Sequence, residues 1–153
     1  MVVKFNPNVM NVVKLKINQM KGEIMSEIFE VKSPILGFEH IRKIKLERVD
    51  NFFVTIKDAE NDDVVFTLVN PFVLREYEFN MPTSMKVLLD VSEASNLKIY
   101  NVVVLQQPID ESKVNFLAPL VFNEDNKTVG QIVLSALEYP QFSFAEDIKK
   151  FVA

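Results

Sequence analysis

From residue 28 onward the apolar residues of this chain recur with period two, in short runs separated by polar turns. Phe29 and Val31 alternate with Glu30 and Lys32 until Ser33-Pro34 ends the run, and Ile44 and Leu46 alternate with Lys43, Lys45 and Glu47. Phe52, Val54 and Ile56 follow, and the polar stretch from Asp58 to Asp63 leads into Val64–Val69. A period of two belongs to strands, whose successive side chains point to opposite faces. Leu97–Gln106, Val114–Asn123 and Thr128–Leu134 read as further strands, the last two joined by the hairpin-like Glu124-Asp125-Asn126-Lys127. Short strands with turns between them predict a mostly β fold, an antiparallel sandwich or a barrel. Two helices interrupt the pattern. Thr83–Val91 follows Pro82 and sets Met85, Leu88 and Leu89 on one face. At the C-terminus Ser143-Phe144-Ala145-Glu146 matches a capping box, with Ile148, Phe151 and Val152 apolar beyond it.

At 153 residues the chain fits one domain, and a domain of this size buries about 70% of its unfolded surface. With 48% hydrophobic residues it needs no metal or disulfide to support a core. Phe supplies 13 of the aromatic residues and Trp none, so rings can pack deeply without seeking hydrogen-bond partners. Cysteine is absent, which excludes thiol catalysis and zinc–thiolate sites and fits a reducing compartment. No run approaches the roughly 18 to 20 apolar residues of a membrane span. Lys4, Lys14, Lys16 and Lys21 also break any signal-like apolar stretch. A cytoplasmic location is the expectation.

Charge divides the chain. Residues 1–24 carry a net +3 and residues 25–153 a net −7. The first segment reads as an N-terminal extension or, through Val13, Leu15 and Ile17, as an edge strand; Met25-Ser26 offers an alternative start. Residues 25–153 read as a single domain. An acidic body repels phosphate backbones, so direct nucleic-acid binding is not expected. The same field favours encounter with a basic protein surface.

Reaction chemistry finds little to work with. His40 is the one histidine, too little nitrogen for a zinc site or a nucleophile–base pair, and it reads as a surface or turn residue. Gly22, Gly37 and Gly130 lie too far apart to cradle a phosphate. The carboxylate pairs Asp62-Asp63 and Asp110-Glu111 fall in loops, and Glu76 and Glu78 flank Tyr77. We expect no enzyme and no cofactor. The segment that asks for an explanation is Val114–Asn123, apolar on both faces of a strand. Such a strand is buried on both sides or offers one side to a partner, and Pro119 marks an edge or a bulge.

Several segments taken in order carry a resemblance. They are Ser33-Pro34-Ile35-Leu36-Gly37-Phe38-Glu39, the Asn70-Pro71 step, Tyr77-Glu78-Phe79 with Pro82, and Ile99-Tyr100-Asn101-Val102-Val103. Asn115-Phe116-Leu117-Ala118-Pro119, Asn126-Lys127-Thr128, Gln131-Ile132-Val133-Leu134 and Tyr139-Pro140 follow. Over about residues 28–151 the chain resembles the flagellar assembly factor family, FliW; residues 1–24 have no counterpart in that likeness. The resemblance implies a small, partly open β-barrel with short helices and no enzymatic activity. It also implies two protein partners: flagellin, bound before export, and the translational repressor CsrA, bound and antagonised when flagellin has left. The residues expected to contact partners are the turn Gly37, Phe38 and Glu39, the acids Glu76 and Glu78, and the strand residues Asn115, Phe116, Leu117 and Pro119. A flagellin export chaperone without a regulatory partner, and a small-ligand-binding barrel, are the competing readings.

Overall fold

The computed structural model describes residues 2–4 and 26–151. Its strands are β1 (Val2–Lys4), β2 (Ser26–Ser33), β3 (Lys43–Arg48), β4 (Phe53–Asp58), β5 (Asn61–Val69) and β6 (Glu78–Asn80). After the helix α1 (Thr83–Leu88) come β7 (Leu97–Val104), β8 (Lys113–Val114), β9 (Leu120–Asn123), β10 (Thr128–Gln131) and β11 (Glu146–Asp147). Single 3₁₀ turns lie at Pro71–Val73, Ile109–Glu111 and Ile148–Lys150.

Seven strands close a ring in the order β7-β5-β4-β3-β2-β10-β9, with β9 pairing back onto β7. The contact between β2 and β10 is parallel, which departs from the antiparallel pairing expected throughout. Beside it Gly130 removes a steric obstacle: a Cβ there would lie 2.9 Å from the Ser33 Cβ and 2.8 Å from the Met85 Sδ. β10 therefore runs close to both β2 and α1, and the ladder shifts register between Val129 and Gly130.

Strand alternation now divides the apolar residues between two cores. Phe29, Ile44, Leu46, Ile56, Leu68, Leu120 and Phe122 fill the inside of the ring. Val103, Val121 and Ile99 point outward from β7 and β9 and are covered by Tyr77, Phe79, Met85, Leu89, Phe116, Phe142 and Ile148. β9 is buried at all four positions because it forms the wall between these cores. Fully burying a large apolar side chain contributes about 1.5–3 kcal/mol, so this double burial is a main source of stability.

The helix is shorter than its sequence pattern. Asp90 adopts φ 52, and Val91 N–H donates to Lys86 O at 2.8 Å while Asp90 N–H donates to Val87 O at 3.2 Å. That is a Schellman ending. Met85 and Leu89 are buried as expected, but Leu88 is exposed. The C-terminal helix is a correction. Ser143 N–H does donate to Glu146 Oε2 at 3.2 Å, which is one half of the capping box. No helix follows, because Glu146 and Asp147 pair with Val114 and Lys113 as β11. Ile148 N–H then donates to Ser112 O at 2.9 Å, and a 3₁₀ turn ends the segment. Val13, Leu15, Ile17 and Val152 lie outside the described residues. β1 pairs antiparallel with β6, Val3 opposite Phe79.

Two tyrosines sit in these cores with their rings buried. Burial pushes the Tyr100 hydroxyl up to about 12 from an ordinary 10 and raises Tyr77 further. A folded-state value above the unfolded one means the folded chain holds its proton where the unfolded chain has lost it. Stability is therefore intact below pH 10 and falls as pH rises from 10 through 12. Tyrosinate absorbance near 295 nm should rise together with loss of β-sheet circular dichroism. Tyrosinate absorbance complete well below the unfolding transition would contradict this burial.

Candidate partner-binding surfaces

The Gly37 turn follows from local chemistry. Phe38 N–H donates to Ile35 O at 2.8 Å and closes the turn. Gly37 takes φ 82, a left-handed value that a side chain disfavours, and the space a Cβ would enter is open. Glu39 folds back, accepting from Gly37 N–H at 3.1 Å. Hydrogen bonds from its own N–H and from that of Gly37 hold its carboxyl below the ordinary value. Gly37 and Glu39 are exposed and Phe38 is half-buried. The Phe38 ring packs edge-on against Phe66 at 4.5 Å, at one end of the inner core.

Glu76 and Glu78 are also exposed, as expected. With Glu138 they rim a shallow cleft floored by Arg75, Phe79 and Phe142. Tyr77, between the two acids, points the other way and is buried.

Asn115, Phe116, Leu117 and Pro119 do not form the expected strand edge. They make a turn between β8 and β9, and Phe116, Leu117, Ala118 and Pro119 are buried. The physical reason is complete hydrogen bonding of the turn's carbonyls. Asn115 O accepts from Asn101 Nδ2 at 2.8 Å and Phe116 O from the Tyr77 hydroxyl at 2.6 Å. Leu117 O accepts from Leu134 N–H at 2.7 Å and Pro119 O from Ile132 N–H at 2.9 Å. Ala118 O accepts from Gln131 Nε2 at 3.1 Å. Half-buried Asn115 uses its Oδ1 on its own turn, accepting from Leu117 N–H at 3.1 Å. Phe116, Leu117 and Pro119 are thus core residues with little surface to offer a partner.

This buried turn links the two exposed features. Gln131 Oε1 accepts from Leu36 N–H at 2.8 Å, next to Gly37, while its Nε2 holds Ala118. On the other side Tyr77, flanked by Glu76 and Glu78, holds Phe116. Gln131 and Asn101 stood in the sequence only within segments that carry the resemblance, with no role assigned to them. The available signal was a polar residue inside an apolar run, Asn101 in Ile99–Val104 and Gln131 before Ile132–Leu134. His40 lies in an exposed turn, as expected.

The fold and these surfaces define a small, mostly β protein with one described helix, its distinctive residues gathered in turns around a ring of strands. Residues 14–145 match the family model of the FliW protein. A Wolinella succinogenes flagellar assembly factor FliW 2 is 54% identical over 123 residues, covering 80% of this chain and 90% of that one. A Helicobacter pylori flagellar assembly factor FliW 1 is 44% identical over 124 residues, covering 80% of this chain and 92% of that one. A crystal structure of the flagellar assembly factor FliW superposes with a TM-score of 0.72 at 19% identity, covering 79% of this chain and 84% of that one. The chain belongs to the FliW family of flagellar assembly factors.

Proposed function

We propose that this chain works in the cytoplasm by binding and not by catalysis. It holds flagellin before export and, once released, binds and antagonises the translational repressor CsrA, so that flagellin synthesis follows filament assembly. The observation that supports this reading most is the pairing of two exposed features through one buried turn. The Gly37–Glu39 turn and the Glu76 and Glu78 acids are fixed to it by Gln131 and Tyr77. Two surfaces with a rigid connection suit two partners that exclude one another. Gly37, Phe38, Glu39, Glu76 and Glu78 are the residues assigned to contact.

The net −7 of residues 25–153 complements a partner that carries basic RNA-binding residues. Such complementarity raises the rate of encounter more than the final affinity. Raising salt from low to physiological strength should slow repressor association about three- to tenfold with little change in dissociation. Replacing Glu76 and Glu78 together by Lys should slow it at low salt as well. Surface plasmon resonance reads both, and a salt-independent association rate removes the steering argument. The central test is competition. Purified chain, flagellin and repressor are mixed singly and together; mutually exclusive complexes support the switch, and a repressor that never binds leaves an export chaperone.

A further inference from the structure

The ring has a split in its wall that neither candidate surface uses. Asn101 and Val103 of β7 face Val69 and Thr67 of β5. Continued one step, that register would set Ile99 opposite Pro71, but β5 ends there. Asn70 Oδ1 accepts from Phe72 N–H at 2.9 Å and Pro71 starts a 3₁₀ turn. Pro71 O is taken by Leu74 N–H at 3.0 Å and Arg75 N–H at 3.1 Å.

The opposite edge of β7 shows which backbone groups are left over. Glu124 N–H donates to Asn96 O at 2.9 Å and Asn115 N–H donates to Val102 O at 3.0 Å. Even-numbered residues of β7 therefore direct their N–H and C=O toward β8 and β9. In an antiparallel ladder the odd-numbered ones point the other way. Asn101 and Val103 find β5 there; Leu97 and Ile99, paired with Asn123 and Val121 of β9 on the other edge, meet no strand on the β5 side among the described residues. Beside them is a cleft of ≈ 290 Å³ walled by Phe52, Val54, Asn70 and Phe72, with Arg48 at its rim.

A strand edge without a neighbour, beside a cleft lined by both apolar and polar side chains, is the geometry of strand addition, in which main-chain bonds supply affinity and side-chain pockets supply selectivity. The charges say which side chain fits. Lys98 is satisfied by Glu124 at 2.6 Å, and Asp50 Oδ1 accepts from Phe52 and Phe53 N–H, both at 2.8 Å. Arg48 is exposed and has no ion-pair partner among the described residues. We propose that this cleft receives an extended segment of a protein partner, which adds as a strand along β7 at Leu97 and Ile99 and sets an acidic side chain against Arg48. About three residues, roughly 10 Å of strand, span the open edge.

Amide hydrogen exchange by NMR on the full-length chain tests this directly. The probes are two end-blocked synthetic peptides, Thr-Val-Glu-Val-Thr and Thr-Val-Lys-Val-Thr. In the free chain the Leu97 and Ile99 amides should exchange faster than those of Lys98 and Tyr100, with Leu97 the faster of the two because Ile99 is buried. The Glu peptide at saturation should slow Leu97 and Ile99 at least about tenfold. Leu97→Pro deletes a donor that β7 does not use, at the first position of a strand where proline is tolerated, and should weaken binding at least about fivefold. Arg48→Glu leaves the backbone intact and should reverse the preference toward the Lys peptide. Slow exchange at Leu97 and Ile99 in the free chain would overturn the proposal, because another part of the chain would then hold that edge. Absence of binding by both peptides, binding without protection of these two amides, or an Arg48→Glu chain that still prefers the Glu peptide would overturn it too. Flagellin and repressor binding are read separately, so failure here leaves the functional reading standing.

Discussion

Phe116→Ala is expected to destabilise the chain by about 3–5 kcal/mol, a large part of the roughly 5–15 kcal/mol that holds a domain of this kind folded. The Phe116 ring is fully buried and packs against Tyr77 at 5.8 Å and Phe151 at 5.4 Å. The Arg75 guanidinium sits 5.1 Å from its centroid. Removing the ring takes transfer energy away and leaves a cavity that the fixed turn cannot close, because its carbonyls are held from three directions. Urea denaturation should show a lower midpoint with an unchanged slope. Phe38→Ala, at a half-buried ring on the end of the inner core, should cost less while impairing partner binding. A loss under about 1 kcal/mol from Phe116→Ala, together with abolished partner binding, would instead make the turn a contact surface.

The same turn explains what the sequence could and could not disclose. Ile44 and Leu46 against Lys43, Lys45 and Glu47 were legible because β3 has one face inside the ring and the other in water. Val114–Asn123 was legible only as apolar on both sides. Two structures produce that pattern, a strand between two cores and a compact buried turn, and this segment contains both in succession. Periodicity cannot locate the change from one to the other at Asn115, since the turn is stabilised by Tyr77, Asn101, Gln131 and Leu134, all distant in sequence or separated by a hairpin. The parallel β2–β10 contact was hidden for a related reason: local turn signals specify hairpins, and this pairing joins residues about a hundred positions apart. The Gly37 turn was the opposite case. Its glycine and the carboxylate two residues later act on each other, so the local sequence contained the whole explanation.

Arg75→Met should cost about 2–4 kcal/mol, and the C-terminal segment should loosen before the rest. Arg75 Nη1 lies 3.3 Å from Glu146 Oε2, with side-chain exposures of 18% and 12%. Its guanidinium also stands 4.9 Å from the Phe142 ring and 5.0 Å from Phe151. Met retains the apolar stem but leaves the Glu146 carboxylate poorly solvated and without its cation. The Ser143 N–H bond to Glu146 remains, and it is too little to replace a guanidinium. The capping box that fails to start a helix thus acts as one arm of a clamp, drawing Ser143, Glu146 and Arg75 together while β11 pairs with β8. Glu146→Gln removes the stranded charge and still accepts from Ser143 N–H. The double variant Arg75→Met with Glu146→Gln should therefore recover about 1–3 kcal/mol relative to additive losses. Hydrogen exchange at the Ile148 amide, bonded to Ser112 O, should accelerate in Arg75→Met ahead of the ring strands. Strict additivity of the two substitutions would show that the aromatic rings, and not the carboxylate, are what Arg75 serves.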